Sequence, residues 1–159
     1  MQPDFSRQLI KGKIAEVVFE QMFRDTGRFT VIPFGYETVM PELMQYAMGE
    51  AYRDLVDNIR NAPDFAIVSH NPDEVFLVEV KYRPKMNAED VRKYAKVIYE
   101  RWKLAWLFYA TPEGFFLGKC TDLLGDDSRI RPLDERFVSR DIQDRHLLLL
   151  REFLGNRGG

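Results

Sequence analysis

Apolar residues concentrate in two short runs near the middle of the chain, residues 63–68 and 75–81. Both runs are rich in β-branched and aromatic residues, and each is short enough to form a single strand. The polar stretch between them, residues 69–74, contains Asn, Pro and Asp, which favour a turn. This pattern predicts an antiparallel hairpin.

The rest of the pattern surrounds this hairpin with helices and strands. Apolar residues spaced by three and four predict helices, and short apolar runs predict strands. The predicted elements are a helix over residues 5–26, a strand over 29–36, a helical insertion over about 39–60, a helix capped by Asn87, strands over 104–110 and 115–119, and a C-terminal helix over about 139–154. Residues 121–136 are polar and rich in turn formers, and no regular element is predicted there.

This order of elements predicts an α/β fold with a mixed β-sheet flanked by helices, in a single domain spanning residues 1–159. The chain is 45% hydrophobic and 13% aromatic, which is ample for a packed core. Its net charge of -2 gives no overall cationic field, so a surface that binds nucleic acid would have to be local.

The number of cysteines and the length of the apolar runs restrict the class of protein further. Cys120 is the single cysteine. It therefore excludes an intrachain disulfide and a cysteine-rich zinc site, and it favours a cytoplasmic protein. The opening residues lack the charged and apolar regions of a signal peptide, and no apolar run approaches the roughly 20 residues of a membrane span. We therefore expect no membrane partner.

The hairpin brings charged residues together at one of its ends. If Ser69 faces Glu74, the antiparallel register places Asp64 opposite Glu79, with Cβ atoms about 5 Å apart. Side chains alternate between the faces of a strand, so Lys81 shares a face with Glu79 at a distance of roughly 7 Å. Two carboxylates and one ammonium group are thus predicted to converge.

Two adjacent carboxylates repel each other, and one of them tends to remain protonated. A bound cation removes this difficulty, and oxygen ligands of this kind suit Mg²⁺, with Mn²⁺ as a substitute. A lysine beside the ion is suited to orienting a water molecule or stabilising charge that develops on a phosphate. The structural alternative to a metal site is a Glu79–Lys81 ion pair at a solvated edge of the sheet.

The same residues resemble the motif of the PD-(D/E)XK phosphodiesterase superfamily, which includes restriction endonucleases and archaeal-type Holliday junction resolvases. The motif is carried by Pro63-Asp64 and by Glu79-Val80-Lys81. The segment Gly12-Lys13-Ile14-Ala15-Glu16 resembles the first helix of the resolvase-like members. The resemblance covers roughly residues 6–118.

This resemblance implies a restriction-endonuclease-like core and a Mg²⁺-dependent endonuclease that hydrolyses DNA phosphodiester bonds, with branched or otherwise structured DNA as a possible substrate. It implies that Asp64, Glu79 and the backbone carbonyl of Val80 bind the metal ion. It further implies that Glu16 completes the site and that Lys81 positions the attacking water. Cleavage of two strands symmetrically would favour a homodimer. The candidate interfaces are residues 147–150 and the insertion helix.

Basic residues near the motif are candidates for contact with DNA phosphates, although a run of charges is more often a solvated face. These candidates are Lys13, Arg83, Lys85, Lys93 and Lys96. Two other classes of function stay open: a catalytically inactive binding or assembly module that keeps the nuclease fold, and a nuclease directed at RNA.

The remaining chemistry-bearing residues have structural interpretations. His70 lies in the hairpin loop and is expected at the surface. His146 is expected to pack in the apolar stripe of the last helix together with Ile142, Leu149, Leu150 and Phe153. Cys120 is expected to be buried and inert.

Overall fold

The computed structural model describes residues 3–34, 62–70, 74–125 and 129–155. The predicted helical insertion, about residues 39–60, lies outside these ranges. Within them the elements are α1 (Pro3–Asp25), β1 (Phe29–Pro33), β2 (Phe65–Ser69), β3 (Val75–Tyr82), α2 (Ala88–Arg101), β4 (Trp106–Thr111), β5 (Gly114–Lys119), α3 (Cys120–Leu123), β6 (Arg131–Pro132) and α4 (Arg140–Leu154).

The strands form one six-stranded sheet in the order β1-β2-β3-β4-β5-β6. The β3–β4 pair is parallel and every other neighbouring pair is antiparallel. Parallel neighbours need a long crossover, and α2 provides it. The predicted α/β fold with a mixed sheet and flanking helices is therefore confirmed.

The predicted hairpin forms with the predicted register. Phe65 pairs with Val78, and the backbone N–H of Ser69 donates to the carbonyl of Glu74 over 2.8 Å. Because each step along one antiparallel strand reverses a step along the other, the residue before Phe65 lies beside Glu79. That residue is Asp64.

Both faces of the sheet are buried, and successive side chains of β4 pack into the core on one face and then on the other. On one face, Phe108 packs against Phe19 of α1 with ring centroids 4.8 Å apart. On the other face, Leu107 and Tyr109 pack with α2, around Ala95. A strand that is buried on both sides appears in the sequence as a continuous apolar run, as β4 does.

The helix ends follow local chemistry. Asn87 caps α2 by accepting a hydrogen bond from the backbone N–H of Asp90 over 3.1 Å. Gly27 and Gly155 follow α1 and α4 with φ of 69° and 66°, values that a glycine adopts without strain. In the described part of the chain, no helix has both the length and the apolar character needed to cross a bilayer.

The prediction of no regular element over residues 121–136 is wrong at two places in that stretch. The four-residue helix α3 overlaps its start, and the two-residue strand β6 adds an edge to the sheet by pairing with β5. Both elements are too short to produce a periodic pattern in the sequence. Cys120 and Leu123, which are buried, hold α3 against the core.

The predicted apolar stripe of α4 is partly wrong. His146 and Leu150 are buried as predicted, but Leu149 and Phe153 are 41% and 67% exposed. Gln143 is buried in their place, and its side-chain amide donates to the carbonyls of Leu133 and Val138. A polar residue that satisfies two backbone carbonyls can occupy a core position that periodicity would assign to an apolar one.

Candidate active site

Three carboxylates from separate segments meet at one end of the β2–β3 hairpin. Glu16 lies on α1 between Ala15 and Phe19, whose burial against the sheet fixes the orientation of the helix. Asp64 directly precedes β2, and Glu79 lies within β3. Hydrogen bonds link the carboxyl of Asp64 to those of both Glu16 and Glu79.

Ionising these three carboxyl groups together is unfavourable in free energy. Burial, followed by the negative charge of Asp64, raises the pKa of Glu16 to about 7. Burial and then the charge of Glu79 raise the pKa of Asp64 to about 7. Burial also raises the pKa of Glu79, against the opposing attraction of Lys81. Near neutral pH the cluster therefore holds protons in place of a compensating positive charge.

Nearby donors hold two of the acids in place. The backbone N–H of Val80 donates to Asp64 Oδ2 over 2.8 Å. Lys13 Nζ lies 3.2 Å from Glu16 Oε2, one helical turn away on α1. The orientation of the Asp64 carboxylate is thus set by the β3 backbone.

Lys81 lies beside the cluster, as predicted. Its Nζ is 3.7 Å from Glu79 Oε1. It also lies over the ring of Tyr94, 4.8 Å from the ring centroid. The ammonium group is therefore positioned by a carboxylate on its own strand and by an aromatic face on α2.

A second cation, Arg83, also lies over the ring of Tyr94. Arg83 Cζ lies 4.9 Å from the Tyr94 ring centroid, and Arg83 Nε is 3.1 Å from Asp90 Oδ2. The hydroxyl of the buried Tyr109 donates to the same Asp90 oxygen over 3.0 Å. We call Arg83, Asp90, Tyr94 and Tyr109 the Tyr94 network. It connects Lys81 to the sheet core.

Sequence reasoning missed the Tyr94 network. One available signal is the four-residue spacing of Asp90 and Tyr94, which places both on one face of α2. The other is the two-residue spacing of Lys81 and Arg83 along β3. Neither spacing shows that the two faces meet, because that depends on how the crossover seats α2 on the sheet.

The donor chemistry of the cluster fits a hard divalent cation. Carboxylate oxygens are the ligands that Mg²⁺ and Mn²⁺ prefer, and Lys13 and Lys81 offset only part of the charge of the three ionised acids. Over the residues that are described, no group of three or more His, Cys, Asp or Glu side chains has the arrangement of a preformed metal site. The carboxyls of Glu16, Asp64 and Glu79 instead contact one another through hydrogen bonds.

The residues predicted to contact nucleic acid occupy two kinds of position. Lys13 and Arg83 are paired with Glu16 and Asp90, respectively, and belong to the surroundings of the site. The remaining candidates are exposed side chains after β3 and on α2, namely Lys85, Lys93 and Lys96.

The histidines and the cysteine have other hydrogen-bonding surroundings, although Cys120 is near enough to Glu79 for that charge to act on its thiol. His70 Nε2 is 2.7 Å from Thr30 Oγ1 at the exposed far end of the hairpin, and its predicted surface position is confirmed. His146 is buried and contacts Asp25 Oδ2 over 3.1 Å, a partner that the sequence did not predict. Cys120 is fully buried, and burial raises its pKa to about 12, so its thiol is protonated and shielded as expected.

A scan against models of protein families and a search of curated proteins found no match to this chain. The functional interpretation therefore depends on the geometry of the site and on the motif residues themselves.

Proposed function

We propose that the protein is a metal-dependent endonuclease that hydrolyses DNA phosphodiester bonds and has a restriction-endonuclease-like core. The observation that carries this proposal is the meeting of Glu16, Asp64 and Glu79, with Lys81 alongside. A cluster of desolvated acids weakens a fold unless a cation offsets the repulsion. A divalent ion supplies that cation and gives the cluster a chemical use.

Each residue then has a defined role. Asp64, Glu79 and the Val80 carbonyl would hold Mg²⁺ or Mn²⁺, and Glu16 would complete the site directly or through water. The ion supplies Lewis acidity at the reacting phosphate. Lys81 orients the attacking water and stabilises negative charge as the oxygen of the water bonds to phosphorus and the bond to the sugar oxygen breaks. Tyr94 keeps the Lys81 ammonium in this position.

Exposed cations that follow β3 in the sequence favour a polyanionic substrate. Lys85, Lys93 and Lys96 follow the strand that carries Glu79 and Lys81. They supply the local positive surface that the net charge of -2 does not provide. DNA is the favoured substrate, and a branched or otherwise structured form of it is the first to test.

The test is a panel of branched, nicked, linear and single-stranded DNAs, with RNA counterparts, incubated with Mg²⁺ or Mn²⁺. Asp64→Ala and Lys81→Ala are each expected to lower the cleavage rate by at least about 100-fold while the protein stays folded. Lys119→Ala, on β5, is the matched control and is expected to cleave as the unaltered protein does. Full activity in either site variant, or cleavage in EDTA, would refute the assignment.

The same panel distinguishes the competing functions. Cleavage confined to RNA would replace DNA as the substrate. A metal ion that binds only the folded state raises the melting temperature by mass action. No melting shift at millimolar Mn²⁺, together with no cleavage of any nucleic acid, would favour an inactive binding or assembly module.

A further inference from the structure

A second pocket lies at the end of the β2–β3 hairpin opposite the carboxylates. It is lined by residues 27–29, 69–70 and 136–137 together with Glu74 and Phe76, and it encloses about 330 Å³. Because Ser69 follows Asp64 by five residues along an extended strand, the pocket is roughly 17 Å from the candidate active site. We call it the Arg28 pocket.

One wall of the Arg28 pocket consists of three aromatic rings that other rings hold in place. These rings are Phe29, Phe76 and Phe137, and each is half-buried. Phe76 and Phe137 both pack edge to face against Trp106, with ring centroids 5.6 Å and 6.0 Å away. Phe29 packs against Phe23 at a centroid distance of 5.4 Å. The wall is therefore apolar and formed in advance, which suits the flat face of a planar ring.

Two exposed arginines line the same pocket. Arg28 Nη2 donates to the carbonyl of Phe137 over 2.6 Å, a contact that directs the guanidinium without neutralising its charge. Arg136 Nε is 3.1 Å from Asp134 Oδ2, in an ion pair whose arginine side chain is 82% exposed. So exposed a pair is weak, and the guanidinium can turn to a more highly charged anion. Two guanidinium groups at one pocket are suited to a phosphate.

The other polar groups of the pocket indicate what the phosphate is attached to. The backbone N–H of His70 donates to the carbonyl of Arg28 over 3.0 Å, which keeps these two residues adjacent. Glu74 adds a carboxylate to the lining. A carboxylate repels a bare phosphate ion, but it accepts hydrogen bonds from sugar hydroxyls or from the amino group of a base. The lining thus matches a ligand with a phosphate, a planar ring and a hydrogen-bond donor.

We propose that the Arg28 pocket binds a nucleotide. The phosphate lies at Arg28 and Arg136, the base lies against the aromatic wall, and a sugar or base donor faces Glu74. A volume of about 330 Å³ is at the small end of ligand pockets, which fits a single nucleotide unit. This unit is either a free mononucleotide or the 5′-phosphorylated terminal nucleotide of a nucleic acid. The residues are separate from the candidate active site, so the proposal does not depend on catalysis.

The test is isothermal titration calorimetry of the full chain in EDTA, which prevents any metal-dependent cleavage. The ligands are the ribonucleoside 5′-monophosphates, the corresponding nucleosides, inorganic phosphate and phosphotyrosine. We expect at least one monophosphate to bind, and its nucleoside, inorganic phosphate and phosphotyrosine each to bind at least about tenfold more weakly. Equal binding of the nucleoside would contradict the role of the arginines. Equal binding of inorganic phosphate or phosphotyrosine would contradict recognition of a base. Either result would overturn the proposal.

Substitutions at the two arginines show whether the ligand occupies this pocket. Arg28→Ala and Arg136→Ala are each expected to weaken binding by at least about fivefold. Arg131→Ala is the matched control, since Arg131 is an exposed arginine on β6 outside the pocket, and it is expected to bind as the unaltered protein does. Melting curves check that Arg28→Ala stays folded. Arg136→Ala changes a side chain that is 82% exposed, so binding that this variant leaves unchanged would overturn the proposal.

Oligonucleotides with and without a 5′-phosphate distinguish the two sources of the nucleotide. Tighter binding of the phosphorylated strand, by a margin that Arg136→Ala removes, would assign the pocket to the end of a nucleic acid. Equal binding of the two strands, with the mononucleotide still bound, would assign it to a free nucleotide. No binding of any mononucleotide or phosphorylated strand would overturn the proposal whether or not the protein cuts DNA.

Discussion

The ammonium group of Lys81 has two neighbours that fix its position in different ways. Glu79 attracts it as a charge at 3.7 Å. The centroid of the Tyr94 ring is 4.8 Å from Lys81 Nζ, and the Arg83 guanidinium lies over the same ring. A flexible lysine held only by a carboxylate has many available rotamers, and the Tyr94 ring restricts them.

This arrangement predicts different outcomes for two substitutions of Tyr94. Tyr94→Phe keeps the aromatic face and is expected to retain cleavage activity within about twofold. Tyr94→Leu removes the face and is expected to lower kcat by about tenfold, with a smaller change in KM, because a cation–π contact contributes about 1–2 kcal/mol. Steady-state cleavage assays measure both quantities.

Tyr99→Leu on the same helix is the control for general loss of packing, since Tyr99 packs against the core of the same face. Equal losses of kcat in Tyr94→Phe and Tyr94→Leu would contradict positioning by the ring. Equal losses in Tyr94→Leu and Tyr99→Leu would show instead that the effect is one of stability.

At the residue scale, the sequence predicted the acids but not what surrounds them. Asp64 and Glu79 follow from one hairpin register, which turn chemistry specifies locally. Tyr109 reaches Asp90 because β4 runs parallel to β3 with Lys81 beside Tyr109. A parallel register is set by a crossover of many residues, and a periodic pattern carries no information about it.

At the scale of single elements, α2 and α4 begin with different capping chemistry. The Asn87 side chain accepts a hydrogen bond at the start of α2, whereas Ser139 at the start of α4 makes no side-chain capping bond. Asn87→Ala is therefore expected to reduce the free energy of unfolding by about 1 kcal/mol. Ser139→Ala is the matched control and is expected to change it by less than about 0.5 kcal/mol. Urea denaturation measures both, and equal losses would contradict the capping argument.

The longer elements were predictable because each repeats its pattern over several turns or residues. Helix α1 was predicted over residues 5–26 and forms over Pro3–Asp25. The exposed apolar residues of α4 show the limit of this reasoning. Leu149 and Phe153 have the spacing of a core stripe, but periodicity does not reveal how far the neighbouring elements extend over that stripe.

At the scale of the whole molecule, the sheet brings together segments that are far apart in the sequence. Helix α1 covers one face, α2 covers the other, and the candidate site forms where the hairpin end meets both. Gathering buried acids at this point lowers the stability of the metal-free fold, because each acid must lose solvent and approach a like charge. The cost depends on pH, since protonation removes it.

The direction of this dependence follows from the raised pKa values. Glu16 and Asp64 bind protons up to a pKa of about 7 in the folded chain, against 4.5 and 3.8 for the ordinary groups. The folded state therefore holds more protons than the unfolded state between about pH 4 and pH 7, so stability falls as pH rises through this window. The loss is on the order of several kcal/mol, since one pKa unit corresponds to about 1.4 kcal/mol.

We therefore expect the melting temperature of the metal-free protein to fall between about pH 5 and pH 8, and Mg²⁺ or Mn²⁺ to raise it more at the higher pH, where the carboxyls are free of protons. Asp64→Asn keeps an acceptor for the Val80 N–H but cannot ionise. It should flatten the pH profile, melt higher than the unaltered protein at about pH 8 without metal, and lose most of the metal-induced shift. Calorimetry at several pH values, with and without EDTA, measures all three effects. A profile that is flat in the unaltered protein would show that the acids do not share protons, and the electrostatic basis for a metal ion would then be lost.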